Sequence, residues 1–258
     1  MEPLKNMYSA EFISDLSQHL SDVCPNFKYD FFESKIFDDQ WEDRELKERM
    51  RHVTECLRMV LPEEYKEAVR ILMTISDRVK SGDIQFPYIT FPDFIEQYGQ
   101  HDWETSIEAL EVVTKSSSSE FAIRPFLISD RDKTLARMME WAEYSDTHVR
   151  RLASEGSRPR LTWGMALGEF KKNPSYTIPI LEKLKSDPEL YVRRSVANHL
   201  NDISKDHESV AVELVTSWYG KSKETDWVVK HAMRGYLKKG MFLHCVFLVL
   251  QSQKMLML

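Results

Sequence analysis

A four-residue run that returns at near-regular spacing restricts this chain to a narrow set of folds. His148-Val149-Arg150-Arg151 recurs 43 residues later as Tyr191-Val192-Arg193-Arg194, and after a further 36 as Trp227-Val228-Val229-Lys230. A weaker copy, Phe121-Ala122-Ile123-Arg124, stands 27 residues before the first. Periods of this length belong to helical-pair solenoids of the HEAT and armadillo kind, in which each pair buries its apolar face only against its neighbours. Stacking sets equivalent positions side by side. The basic fourth residues, Arg124, Arg151, Arg194 and Lys230, are therefore expected to form a ladder along one face.

The rest of the chain is consistent with helix. Apolar residues recur at helical spacing over Tyr8–Leu20, over about Trp41–Val60 and over Tyr65–Val79. Leu61-Pro62-Glu63-Glu64 reads as a helix start, because proline is tolerated in a first turn. Two prolines in Phe86-Pro87-Tyr88-Ile89-Thr90-Phe91-Pro92 predict a loop there. Asp93–Tyr98 and Thr105–Lys115 follow as helices, then a serine run at 116–119. Thr134–Tyr144, Thr177–Lys185 and Val210–Tyr219 read as first helices of successive pairs. Each leads through a polar turn to a second helix that opens with the recurring run. Hairpin turns and sustained alternation are missing. The expected fold is all-α: a short HEAT-like α-α superhelix over residues 85–240, an N-terminal helical cap over 1–84, and an atypical apolar tail over 241–258. That tail reads either as a buried helix or as the altered end of a longer chain; its apolar run is too short to span a bilayer.

Charge is divided unevenly along this frame. Residues 1–120 carry 13 Lys and Arg against 25 Asp and Glu, a balance of −12, whereas residues 121–240 carry 21 against 16, a balance of +5. Basic character thus coincides with the repeats although the whole chain is acidic. A cationic ladder suits a polyanion, with DNA or RNA foremost. Three scattered cysteines argue for a reducing compartment and against a disulfide framework or zinc ribbon. The N-terminus has no apolar signal segment. The expected location is cytoplasmic, with no membrane partner.

On a helical wheel, Arg151, Glu155 and Arg158 share a face of the first second-helix. Arg194, Asn198 and Asp202 occupy the equivalent strip of the next, and Lys230, Arg234 and Lys238 that of the third. Glu120 adds a carboxylate just before Phe121. Acids inside a basic strip have two readings. They are ion-pair partners that tie neighbouring helices together, or they act on a ligand that the cations hold, since a bare phosphate binder gains nothing from them. Trp163, in the connection after Arg158-Pro159-Arg160-Leu161-Thr162, either packs between layers or offers its face to a sugar or base. Trp141, Trp218 and Trp227 are expected in the core. His199 and His231 have no partner at metal-ligand spacing, and no His-Glu-x-x-His, Cys-x-x-Cys or phosphate-binding glycine pattern occurs. No metal or cofactor is expected.

Three blocks carry a family resemblance: Ser118-Ser119-Glu120-Phe121-Ala122-Ile123-Arg124-Pro125-Phe126, the run from His148 to Leu161, and the run from Tyr191 to Asp202. They resemble the AlkC branch of the HEAT-repeat DNA alkylation-repair glycosylases, related to AlkD, most strongly over roughly residues 85–240. The resemblance implies a monofunctional glycosylase that removes N-alkylated purines, chiefly 3-methyladenine, from double-stranded DNA, acting as a monomer of bacterial origin. It implies Asp202, Glu155, Glu120 and Trp163 as active-site residues. Arg124, Arg151, Arg158, Arg194, Lys230, Arg234 and Lys238 would then contact DNA. Family chains continue past Lys238-Lys239-Gly240 with more helical sequence, where this chain has the apolar tail. The competing expectation is a non-enzymatic HEAT-type scaffold, which is what the fold most often serves.

Overall fold

A computed structural model of the protein describes residues 3–79 and 86–235. All regular structure among them is helical. Lys238 and the 241–258 tail lie outside the described residues. The chain divides into two compact units between Ser129 and Asp130.

The first unit contains α1 (Ala10–Val23), α2 (Tyr29–Ile36), α3 (Leu46–Val60), α4 (Tyr65–Val79), α5 (Thr90–Tyr98), α6 (Trp103–Val113) and the short α7 (Arg124–Ser129). Apolar residues three and four apart give α1, α3 and α4 one buried stripe each: Ile13, Leu16 and Leu20; Val53 and Leu57; Ala68, Val69, Leu72 and Ile75. Each large side chain removed from water in this way contributes roughly 1.5–3 kcal/mol before chain entropy is counted. α3 packs on α5 and α4 on α6. Gly99, where α5 ends, is required by space. A Cβ there would lie 2.0 Å from Tyr65 Oη and 2.4 Å from Ser106 Oγ. Those two hydroxyls are 2.7 Å apart, and Ser106 Oγ donates to the Gly99 carbonyl at 2.7 Å.

Two expectations for this unit, the loop at 86–92 and an outward Arg124, are not met, and the serine run takes a place the sequence left open. The predicted loop at 86–92 is a 3-10 turn, Phe86–Ile89, running into α5 at Thr90. Pro92 is tolerated because it sits in the first turn, whose N–H groups lack intrahelical partners in any case. The serine run is interior: Ser116, Ser117 and Ser119 are buried, with Ser76 and Ser116 hydroxyls 2.5 Å apart and Ser119 Oγ donating to the Leu110 carbonyl. Arg124, expected as the first rung of the ladder, is 0% exposed at the start of α7. Its copy of the motif is degenerate, and the basic position is enclosed by the unit's own core. A phosphate contact is not available to it in this conformation.

The second unit contains α8 (Arg131–Trp141), α9 (Thr147–Gly156), α10 (Gly168–Lys172), α11 (Ile178–Leu184), α12 (Leu190–Asp206), α13 (Glu208–Trp218) and α14 (Lys223–Ala232). The pairs α8/α9, α11/α12 and α13/α14 are those that the periodicity predicts. α12 lies between α9 and α14 and packs against both. Helix starts are set by side-chain caps. Asp130 accepts from Lys133 N, Asp146 from His148 N and Val149 N, and Ser222 closes a capping box with Thr225. Each such cap stabilises by about 1 kcal/mol.

Within this unit every position of the recurring run has its own task. The second residue, Val149, Val192 or Val228, is wholly buried. The third is a clasp in the two copies that have arginine. Arg150 Nη1 donates to the Tyr144 and Ser145 carbonyls at 3.0 and 2.8 Å, while its Nε donates to Asp187 Oδ2 at 2.6 Å in the next pair's turn. Arg193 Nη1 donates in the same manner to the Asp187 and Pro188 carbonyls at 2.6 and 2.7 Å. The first residue forms a column with the preceding copy: His148 meets the Tyr191 ring edge-on at 5.6 Å, and Arg193 lies 5.9 Å from the Trp227 ring. Trp141 and Trp218 are core residues as expected. Trp227 is half-buried and stacks on His231 at 4.8 Å.

Candidate active site

The fourth position of the run, together with the turns of helix that follow it, builds a charged cluster on the face where α9 meets α12. Helical spacing places Glu155 one turn beyond Arg151, and Arg158 just past the end of α9. From there Arg158 Nη1 donates to Glu155 Oε1 at 2.6 Å and its Nε to Asp202 Oδ2 at 2.8 Å, across to α12. Its remaining Nη2 reaches the Arg160 carbonyl at 3.4 Å. Ser195 Oγ donates to Glu155 Oε2 at 2.6 Å. Lys205 Nζ donates to Asp202 Oδ1 at 3.0 Å. Arg151 stands 3.9 Å from Glu155 and stacks over the Tyr191 ring at 4.8 Å.

Both acids are buried, Asp202 to 2% exposure. Ionised carboxylates that far from water require partners in good geometry. Here one guanidinium serves both, with a hydroxyl and an ammonium completing the set. Burial disfavours the Arg158 charge, but Glu155 and Asp202 outweigh it and hold its pKa above the usual arginine value. The cluster thus holds two fixed, buried carboxylates, presented by adjacent repeats and matched by cations.

Around it the expected cations differ in availability. Arg194 on α12 and Lys230 on α14 are exposed, with no side-chain hydrogen bond or ion pair among the described residues. Arg234 is exposed; it donates to the His231 carbonyl at 2.7 Å and to Asn198 Oδ1 at 3.4 Å. Arg151 is half-buried, and Arg158, expected among the phosphate contacts, is engaged with the two acids instead. His199 is interior, its Nδ1 2.9 Å from the Ser154 carbonyl and its Nε2 3.1 Å from Thr177 Oγ1, so it joins α9, α11 and α12 rather than meeting a ligand.

Trp163 sits in the turn after Arg158 with φ 67° and 57% of its surface exposed. A bulky side chain in the left-handed region is strained by roughly 1–2 kcal/mol, and an exposed indole gains little from burial to offset that. This placement differs from packing between layers. Glu120 belongs to the first unit, half-buried in the turn that precedes Phe121. The structure brings Glu155, Asp202 and Arg158 together, with Arg194 and Arg151 on the same two helices. It adds Ser195 and Lys205, which sequence reasoning did not single out. A signal for each was present: Ser195 adjoins the ladder residue Arg194, and Lys205 follows Asp202 at helical spacing. No group of metal-binding side chains occurs among the described residues. No described helix is long and apolar enough to cross a membrane.

Paired helices whose second members repeat one motif and stack on each other define a HEAT-like repeat protein. A scan of protein-family models finds no match. Among solved structures, the alkylpurine DNA glycosylase AlkC of Pseudomonas fluorescens, bound to DNA containing an abasic-site analog, is 37% identical with a TM-score of 0.88, covering 96% of this chain and 68% of AlkC. The chain belongs to the AlkC branch of the HEAT-repeat alkylation-repair glycosylases. The uncharacterized protein YhaZ of Bacillus subtilis is 48% identical over 242 residues, 93% of this chain. The chain spans 66% of the length of YhaZ. AlkD2 of Streptococcus mutans, at 23% identity and a TM-score of 0.53, shares the fold.

Proposed function

We propose that this protein is a DNA glycosylase that hydrolyses the N-glycosidic bond of cationic N-alkylated purines, 3-methyladenine foremost, in double-stranded DNA. The observation that carries the reading is the pair of buried carboxylates, Glu155 and Asp202, held by Arg158 on the helices that also bear the exposed cation Arg194. Family membership supports it. Alkylation at N3 makes the purine cationic and therefore a good leaving group without strong acid assistance. What remains is the positive charge that builds on the deoxyribose as the bond lengthens. An ionised Asp202, fixed before the reaction begins, stabilises that charge and orients the attacking water. Trp163 adds its ring face to the same cation, and Glu155 completes the acidic pair. Arg194, Lys230, Arg234 and Arg151 hold the phosphates. The protein works as a monofunctional, metal-free, monomeric enzyme of the bacterial cytoplasm.

A second reading rests on the same ion pair. Arg158 ties α9 to α12 whether or not anything is cleaved, which is what a non-enzymatic repeat scaffold needs. One assay separates the two: incubation with methylated genomic DNA, or with a duplex bearing a single 3-methyladenine analogue, followed by measurement of free base. Release of cationic adducts with uracil left in place is the glycosylase outcome. Tight DNA binding with no free base selects the scaffold. Efficient uracil excision contradicts the mechanism, since that neutral leaving group needs stabilisation this cluster does not provide.

A further inference from the structure

Asp202 poses a geometric problem for the proposed chemistry. At 2% exposure its carboxylate is covered, and a covered carboxylate cannot meet a deoxyribose cation. Something over it has to move. Its two oxygens are covered differently. Oδ2 is held by Arg158, whose side chain is 12% exposed and is anchored at the same time by Glu155 and the Arg160 carbonyl. Releasing that guanidinium would strand two buried anions, which is strongly unfavourable. Oδ1 is held by Lys205 alone among the described residues. Lys205 keeps 52% of its side chain in solvent and makes no other polar contact among the described residues. An exposed lysine regains its hydration on leaving, while Asp202 keeps the Arg158 guanidinium on its other oxygen.

We infer that Lys205 is a displaceable cover on Asp202: its ammonium occupies Oδ1 in the free protein and gives way when a cationic reacting centre arrives. The inference rests on the glycosylase reading and adds how that site is kept closed. The exchange is one cation for another at the same oxygen, so the buried carboxylate is never left bare. A neutral sugar offers no charge to replace the ammonium, and the cover stays shut against it.

The test uses two duplexes that differ in one residue, a cationic pyrrolidine abasic analogue against a neutral tetrahydrofuran one. It is run on the full chain and its Lys205→Ala, Asp202→Asn and doubly substituted variants. Removing the cover should tighten binding of the cationic duplex about three- to fivefold, the value of one weak ion pair. The neutral duplex should move less than twofold, and the dependence of affinity on salt should be unchanged. The gain should vanish in the Asp202→Asn background, because it acts through that carboxylate. If both duplexes weaken equally in Lys205→Ala and the salt slope falls by about one, Lys205 is a phosphate contact and the cover is overturned. No change for either duplex, while Asp202→Asn still abolishes the cationic preference, also overturns it and leaves the glycosylase reading intact. If the unaltered chain shows no cationic preference and Asp202→Asn makes no difference, the failure belongs to the glycosylase reading itself.

Discussion

Arg158 Nε and Asp202 Oδ2 meet at 2.8 Å across two repeats, and the same guanidinium holds Glu155 Oε1 at 2.6 Å. One cation from the end of α9 thereby fixes two carboxylates that lie on different helices. This single link makes the cluster both a structural tie and a preorganised pair of carboxylates, so substitutions in it should move stability and activity by separable amounts.

Asp202→Asn should lower single-turnover base release by about two to three orders of magnitude, the scale of losing one preorganised electrostatic contact. DNA affinity should hold or rise, because a negative charge near phosphate has gone. The melting temperature should fall modestly, since Arg158 retains Glu155. A destabilised but fully active variant would remove Asp202 from the chemistry and move the assignment to Glu155.

Arg158→Ala should destabilise the protein by about 3–5 kcal/mol, the cost of leaving buried charges without their partner. Arg158→Lys should rescue little, because a point ammonium cannot serve two carboxylates in one plane as a guanidinium does. Denaturant unfolding of the three proteins measures this. If Arg158→Ala matches the parent in stability but loses DNA affinity, the residue is a phosphate contact after all.

Arg194→Ala and Lys230→Ala should each weaken binding across DNA sequences and reduce the slope of log affinity against log salt by about one. Arg151→Ala should change the slope less and lower stability more, because it stacks on Tyr191 and faces Glu155. Arg124→Ala should leave the slope unaltered and fail, if anything, by unfolding its unit. Titrations at several salt concentrations rank the four.

Trp163→Gly accommodates the positive φ that tryptophan endures, so its melting temperature should hold or rise slightly. Base release should nevertheless fall at least tenfold, while Trp163→Phe keeps a ring face and most of the rate. Loss of stability in Trp163→Gly with full activity would mark the indole as packing.

Glu96 gives the first unit a pH dependence. Burial, with the Asp93 charge beside it, pushes its carboxyl up from the usual value to about 7, against a smaller opposing pull from Arg51 and Lys47. A carboxyl raised on folding favours the folded state while protonated, and that contribution is lost as pH climbs through the folded value. Glu96→Gln should therefore be stabilising by about 1 kcal/mol at pH 8, after discounting for its partial exposure, and near neutral at pH 4.5. Equal stability differences at both pH values would contradict this.

Much of the fold can be read from the sequence alone. The recurring run, its polar turns and its apolar spacing specify the three helix pairs of the second unit, because a repeat cannot bury its face except against another repeat, and that constraint is written in the periodicity itself. The acidic and basic halves, the helical stripes of α1, α3 and α4, and the placement of Glu155 and Asp202 on one strip of adjacent helices follow from the same local rules. The sequence could not say which way a long side chain turns. Arg150, Arg151, Arg193, Arg194 and Arg158 are the same residue type at neighbouring positions, yet one pair clasps turns, Arg151 half-buries against a tyrosine, Arg194 stands in water, and Arg158 is drawn to two buried acids. That choice depends on which acceptors the neighbouring repeat brings within reach, a distance set by how α9 seats against α12. Tertiary packing likewise enclosed Arg124, drew the serine run inside and left Trp163 strained and exposed. Burial is a property of what surrounds a residue, and only the assembled helices supply that.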